Sequence, residues 1–199
     1  MRKISQNGPA PTENLNFPAR EEAGSSFSAG FTLIEMLVVI AIIIIIMGIV
    51  IFNVGTERQN SALLRSAQKL SLDLRRAQSF ALSSKVYKTA GVPCGWGLHF
   101  NGAGSTSYVI FADLASSADC SDRDFIRAGN GSEDFEVVNF EAGNTVDSLS
   151  NNLSDVIFTP PDPIVNFTPG QTSASIILIN KNGATRLISI NKTGFISSP

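Results

Sequence analysis

Glu35 is the single charged residue in the twenty-residue stretch Leu33 to Phe52, LIEMLVVIAIIIIIMGIVIF. A carboxylate left charged and unpaired at mid-membrane costs roughly 3 kcal/mol, so an acid near one end of such a run calls for a partner. His99 is the only histidine. General-base chemistry at it would need an adjacent nucleophile, and no Ser-His-Asp set, phosphate loop or paired-carboxylate arrangement stands out; His99 reads as structural or exposed, and no enzymatic activity is expected. Asp119, Asp122 and Asp124 in ADCSDRD offer the oxygen ligands that calcium prefers. They lack the D-x-[DN]-x-[DN]-G order of a known calcium loop and read as a solvated acidic loop. Two cysteines, Cys94 and Cys120, and one histidine without C-x-x-C spacing make a poor metal site, so neither metal nor cofactor is expected.

Cations are the remaining candidates. Arg65, Lys69, Arg75, Arg76, Lys85 and Lys88 fall in one segment, and the tail after Asp162 carries Lys181, Arg186 and Lys192 with no acid. These three are candidate DNA contacts. The pattern does not favour that partner, because the basic residues are not interleaved with aromatics and an acidic block lies between the two basic regions. Asp113 to Asp162 holds eleven acids against Arg123 and Arg127, so the overall charge of −2 conceals a division and by itself argues neither for nor against nucleic acid.

The elements that must position these residues follow from periodicity. At about 1.5 Å per residue, a helix through Leu33 to Phe52 spans the ~30 Å hydrocarbon core of a bilayer. Beyond Phe52 the apolar run ends but the helical period persists: Leu63, Ala67, Leu70, Leu74, Ala77 and Ala81 recur at spacings of three and four, one narrow stripe. No proline stands between Pro18 and Pro93, which predicts one helix from about Leu33 to about Ser84. Its stripe, with three alanines over fewer than three heptads, suits packing on the chain's own sheet better than a coiled coil.

From Pro93 the pattern becomes that of strands. GWGLHFN alternates Trp96, Leu98 and Phe100 against Gly95, Gly97, His99 and Asn101; SYVIFAD, DFEVVNF, DVIF, SIILI and RLISI follow, with Asn182-Gly183 as a hairpin signal and GFIS as a short closing strand. Asp155 to Phe167, with three prolines, reads as a strand running into a proline-fixed loop. Five or six short antiparallel strands after a long helix predict an α+β fold, the outer helix covering one face of an antiparallel sheet. With 199 residues, 43% of them hydrophobic, the chain has material for one ordinary domain and a membrane segment.

Gly30 followed by Phe31, Thr32, Leu33, Ile34 and Glu35 and then the apolar run resembles the cleavage and methylation signature of type IV prepilins and type II secretion pseudopilins. The resemblance implies cleavage after Gly30 by a membrane prepilin peptidase, methylation of the new terminus at Phe31, and pairing of Glu35 with the Phe31 amino group of a neighbouring subunit during assembly. GWGLHF, YVIFAD and IILIN-RLISIN-GFI resemble, more loosely, the globular region of H-type minor pseudopilins and T-type fimbrial minor pilins. The expected organisation is a cytoplasmic leader over 1–30, a transmembrane and fibre-core helix over 31–52, its amphipathic continuation over 53–86, and a periplasmic or extracellular β-rich domain over 87–199.

The implied role is that of a structural minor subunit of a type IV pilus or secretion pseudopilus, anchored by a single pass in the inner membrane and partnered by the peptidase and by other subunits. The alternatives are a DNA-binding minor pilin and an uncleaved membrane anchor. Arg2, Lys3 and Arg20 before the span, with no basic residue in the first positions after it, point the amino terminus inward. That orientation would place Cys94 and Cys120 in an oxidising compartment, where a disulfide between them would stabilise by roughly 3 kcal/mol; two unlinked buried cysteines remain the alternative.

Overall fold

A computed structural model describes residues 30–117, 119–162 and 164–198, with the backbone alone at 52–54. The leader expected over 1–30 lies outside the described residues except for Gly30. Contacts divide the chain into two units, one ending at Ile44 and one starting at Ile45.

Helix α1 runs Leu33–Leu82, within two residues of the boundaries that its proline-free, periodic sequence predicts. Thr32 caps its start: the Glu35 backbone N–H donates to Thr32 Oγ1 at 3.3 Å, satisfying a donor that has no partner inside the helix. Its end is a Schellman closure built without glycine. Ser84 adopts φ +49°, Ser84 N donates to Ala81 O at 3.1 Å and Lys85 N to Phe80 O at 3.0 Å. The two halves of α1 differ in burial as the sequence does. The large apolar side chains of Leu33 to Ile51 are 45–85% exposed, whereas Leu63, Ala67, Leu70, Leu74, Ala77 and Ala81 are all buried.

The strands that follow are β1 (Gly95–Phe100), β2 (Ser107–Asp113), β3 (Asp134–Asn139), β4 (Thr145–Leu149), β5 (Asp155–Thr159), β6 (Ile164–Thr168), β7 (Ser173–Ile179), β8 (Thr185–Asn191) and β9 (Ile196–Ser197). They form two antiparallel sheets, one ordered β3-β2-β1-β5-β6 and the other β4-β7-β8-β9. The α+β class is as expected, but among the described residues nine strands in two sheets replace the five or six expected on one. Asp155 to Phe167 is two strands rather than a strand and a loop: Pro160 and Pro161 sit in the turn, and β6, IVNFT, is itself free of proline and pairs with β5 at the sheet edge. β4 escapes the sequence pattern because Val146 is its only buried residue; pairing with distant β7 makes it a strand.

A single core joins the α1 stripe to the inner faces of both sheets, including Trp96, Leu98 and Phe100 of β1, Val156 and Phe158 of β5, and Ile176, Leu178, Ile188 and Ile190 of β7 and β8. Phe80, Trp96 and Phe135 meet edge to face at centroid distances of 5.1–5.7 Å where α1 ends, and the Lys85 ammonium lies 3.5 Å from the Phe80 ring centroid. Polar ties fix the helix to both sheets: Tyr108 Oη donates to Asp73 Oδ2 at 2.5 Å, Asn144 Nδ2 to Ser66 Oγ at 3.0 Å, and Asn180 Nδ2 to Asn60 Oδ1 at 3.1 Å.

The opposite face of the larger sheet is covered as well. Val109, Phe111 and Ile157 point away from α1 and are buried, and a Cβ on Gly97 would stand 2.6 Å from Val156 O and 2.8 Å from Ile157 Cγ1, so β1 and β5 approach closely only because residue 97 has no side chain. The connection between β2 and β3 crosses this face. Thr168 Oγ1 donates to Phe125 O at 2.9 Å, Arg127 N to Asp155 Oδ1 at 3.3 Å, and a disulfide links Cys120 of the connection to Cys94.

Candidate functional site at the amino-terminal helix

Gly30 to Glu35 form the site that the sequence singles out. Gly30, Phe31 and Thr32 precede the helix in non-helical backbone, and Phe31 is 77% exposed. A Cβ on Gly30 would meet nothing within 4 Å among the described residues, so the Gly30–Phe31 bond stands uncrowded next to the helix start. Thr32 sets the helix start and thereby the position of Glu35 in its first turn. Thr32 and Glu35 thus stand at the first and fourth positions of a T-x-x-E capping arrangement, which also favours an acid in the first turn through the helix dipole. That local role of Thr32 was present in the sequence as a Thr three residues before a Glu at the head of an apolar run. Immediately after Glu35 the helix presents only apolar side chains through Ile51, all exposed, so the carboxylate borders a surface that water does not favour.

The other candidate residues belong to the unit that starts at Ile45. Cys94 and Cys120 are bonded to each other and close the β2–β3 connection over the sheet. His99 Nδ1 lies 2.8 Å from Asp155 Oδ1 and its Nε2 3.2 Å from Asn101 Oδ1; among the described residues neither ring nitrogen has a hydroxyl or thiol as its partner. Asp155, fully buried, was not legible as a partner because it comes from β5, fifty-six residues away.

The three acids of the 119–124 loop turn inward on their own backbone. Asp122 accepts from the amides of Ser116 and Ser117 and from the Ser117 hydroxyl, Asp119 from the Ser121 amide, and Asp124 from the Ile126 amide. The hydrogen bonds from Ser117 hold the Asp122 carboxyl down at about 2, and those from Ser121 and Ser117 lower Asp119. These carboxylates brace the loop. Lys181 lies in the β7–β8 turn, Arg186 on β8, and Lys192 past the other end of β8; a seven-residue strand separates the two lysines by roughly 20 Å, so the three cations do not converge on one contact.

Residues 26–51 match the family described as the prokaryotic N-terminal methylation motif, consistent with the type IV prepilin and pseudopilin family. No curated protein and no solved structure gives a significant match to the chain.

Proposed function

We propose that this chain, which carries the prokaryotic N-terminal methylation motif at its apolar helix, is a minor pilin or pseudopilin subunit, a non-enzymatic building block of a type IV pilus or a type II secretion pseudopilus. It is made as a single-pass inner-membrane precursor with its β-rich domain on the periplasmic side, cleaved by a prepilin peptidase after Gly30, and methylated at Phe31. The observation that carries this reading is the conjunction of the motif with a helix whose first half, Glu35 apart, is apolar with its large side chains exposed, while its second half is committed to the domain core. A helix divided in this way has one half left for lipid or for the same halves of neighbouring subunits. Moving from lipid to a fibre keeps that surface out of water, so the exchange is close to neutral for the apolar side chains and selectivity has to come from polar groups. Glu35 supplies it: cleavage creates an ammonium at Phe31, and a correctly staggered neighbour presents that ammonium to the Glu35 carboxylate, offsetting the cost of a charge in hydrocarbon.

The test is the mass and amino-terminal residue of the protein taken from its native membrane. Methylated Phe31 is the expected terminus; an intact Met1 would overturn processing and leave an uncleaved anchor. Glu35→Ala is expected to insert and be cleaved normally yet be absent from sheared fibres or assembled pseudopili, and its normal incorporation would refute the pairing.

A further inference from the structure

We infer that the groove at the point where α1 leaves its apolar run is a seat for one anionic phospholipid. The groove has a volume of about 900 Å³ and belongs wholly to the unit that begins at Ile45. Its floor is apolar, from Ile49, Val50 and Ala62, and its rim carries Arg58 and Arg65 together with Glu57 and the turn at Ala142. Lys181 stands beside the groove without lining it: its Cε lies 3.0 Å from where a Cβ on Gly143 would stand, and Gly143 follows the lining residue Ala142.

The charges are unequally engaged. Arg65 Nε lies 2.7 Å from Glu141 Oε2, which occupies both, whereas Arg58 and Lys181 have no acidic partner within 4 Å among the described residues. Glu57 alone is set against them, so the rim is net cationic.

Depth makes the occupant a lipid. This inference rests on the reading of Phe31 to Phe52 as the membrane-spanning segment. On that reading Ile49 and Val50 lie in the last turn within hydrocarbon, and Arg58 stands six residues, or roughly 9 Å, beyond Phe52. The headgroup layer is roughly 5–7 Å thick, and an arginine or lysine stem reaches back across the difference with its charge in the layer. The groove therefore crosses the boundary between hydrocarbon and headgroups, apolar on the first side and cationic on the second. An acyl chain fits along Ile49 and Val50, and a phosphodiester is the group that the forked donors of Arg58 and the Lys181 ammonium recognise. A zwitterionic headgroup would bring its own cation to the same rim, so the seat selects lipids of net negative charge.

The probe is phosphatidylglycerol against phosphatidylcholine of identical acyl chains, added to the full-length chain in neutral detergent, with bound lipid counted by native mass spectrometry. Phosphatidylglycerol is expected to be retained at least fivefold better. Arg58→Gln and Lys181→Gln are each expected to reduce that preference on the order of fivefold, the effect of one cation at an anionic surface. Arg58→Lys should keep most of it, and Lys192→Gln, at the far end of β8, should change nothing. Equal retention of the two lipids overturns the seat, as does an equal loss in Lys192→Gln, which would reduce the effect to overall charge. Carbonate extraction of membranes holding the same chain separates the two levels: release from the membrane overturns the anchoring reading itself, whereas a membrane-held chain without headgroup preference overturns the lipid seat alone.

Discussion

Asp113 ends β2 with a carboxyl that is fully buried and whose two oxygens have no hydrogen-bond partner among the described residues. Burial first, then the negative charges of Glu133 and Asp124, push its pKa up to about 7, with Arg123 opposing. In the unfolded chain the same group ionises near 4. Between about pH 4 and pH 7 the folded state therefore holds a proton that the unfolded state has lost, so this group's contribution favours folding at low pH and is lost as pH rises through 7. Asp134 acts in the opposite sense and in a lower window. Its hydrogen bonds from Arg127 lower its pKa, so its contribution is present above pH 4 and lost in acid. Asp113→Asn should thus raise stability at pH 8 by on the order of 2 kcal/mol and flatten the slope between pH 4 and 7. Thermal melts of both proteins at pH 4.5 and 8 decide this, and a variant that melts below the wild type at pH 8 would refute it. Glu35 was legible from sequence because its anomaly is local, one acid in an apolar run. Asp113, Asp155 and the Asp73–Tyr108 pair were not, because what makes each unusual is brought from strands or loops far along the chain.

At the scale of elements the same division holds. The stripe from Leu63 to Ala81 was readable because a helix repeats within its own sequence, and all six of its residues are buried in the structure. The end of α1 was readable only by elimination: Ser84 takes the left-handed position that glycine usually fills, so no residue type marks it, and the absence of proline with the change to strand pattern had to set the boundary. Strands with continuous β-branched or aromatic runs, β2, β7 and β8, were found. β4 and β6 were not, since TVDSL and IVNFT are short and half polar and are strands because β7 and β5 present edges to them. The face of Gly95, Gly97 and His99, which alternation sets opposite Trp96, Leu98 and Phe100, is covered as well. What covers it is the β2–β3 connection, a segment rich in Ser, Asp and Gly whose sequence carries no sign of packing, held there by the Cys94–Cys120 link and by hydrogen bonds between its backbone and the side chains of Asp155 and Thr168 on β5 and β6. Loss of that link, closing a loop of twenty-six residues, removes roughly 3 kcal/mol.

For the whole molecule, the arrangement separates what the chain needs to fold from what it needs to be placed. Among the described residues, every buried apolar side chain lies between Ala62 and Ile196, and the polar ties between α1 and the sheets begin at Asn60. The apolar half of α1 contributes no buried side chain among the described residues. A fragment of residues 53–199 produced in an oxidising compartment should therefore fold as a soluble monomer with a single cooperative melt, whereas a fragment starting at residue 83 should aggregate. The second deletion removes Leu63, Leu70 and Leu74, each contributing about 2 kcal/mol of apolar burial, together with Ala67, Ala77, Ala81 and the Asp73 carboxylate that accepts from Tyr108. That sum approaches the 5–15 kcal/mol on which a domain of this size stands, and it also uncovers the inner faces of both sheets. Gel filtration and circular dichroism of the two fragments distinguish the outcomes. If the 53–199 fragment were insoluble or melted without cooperativity, the apolar half of α1 would have to stabilise the domain as well as place it, and the division of labour along this helix would be wrong.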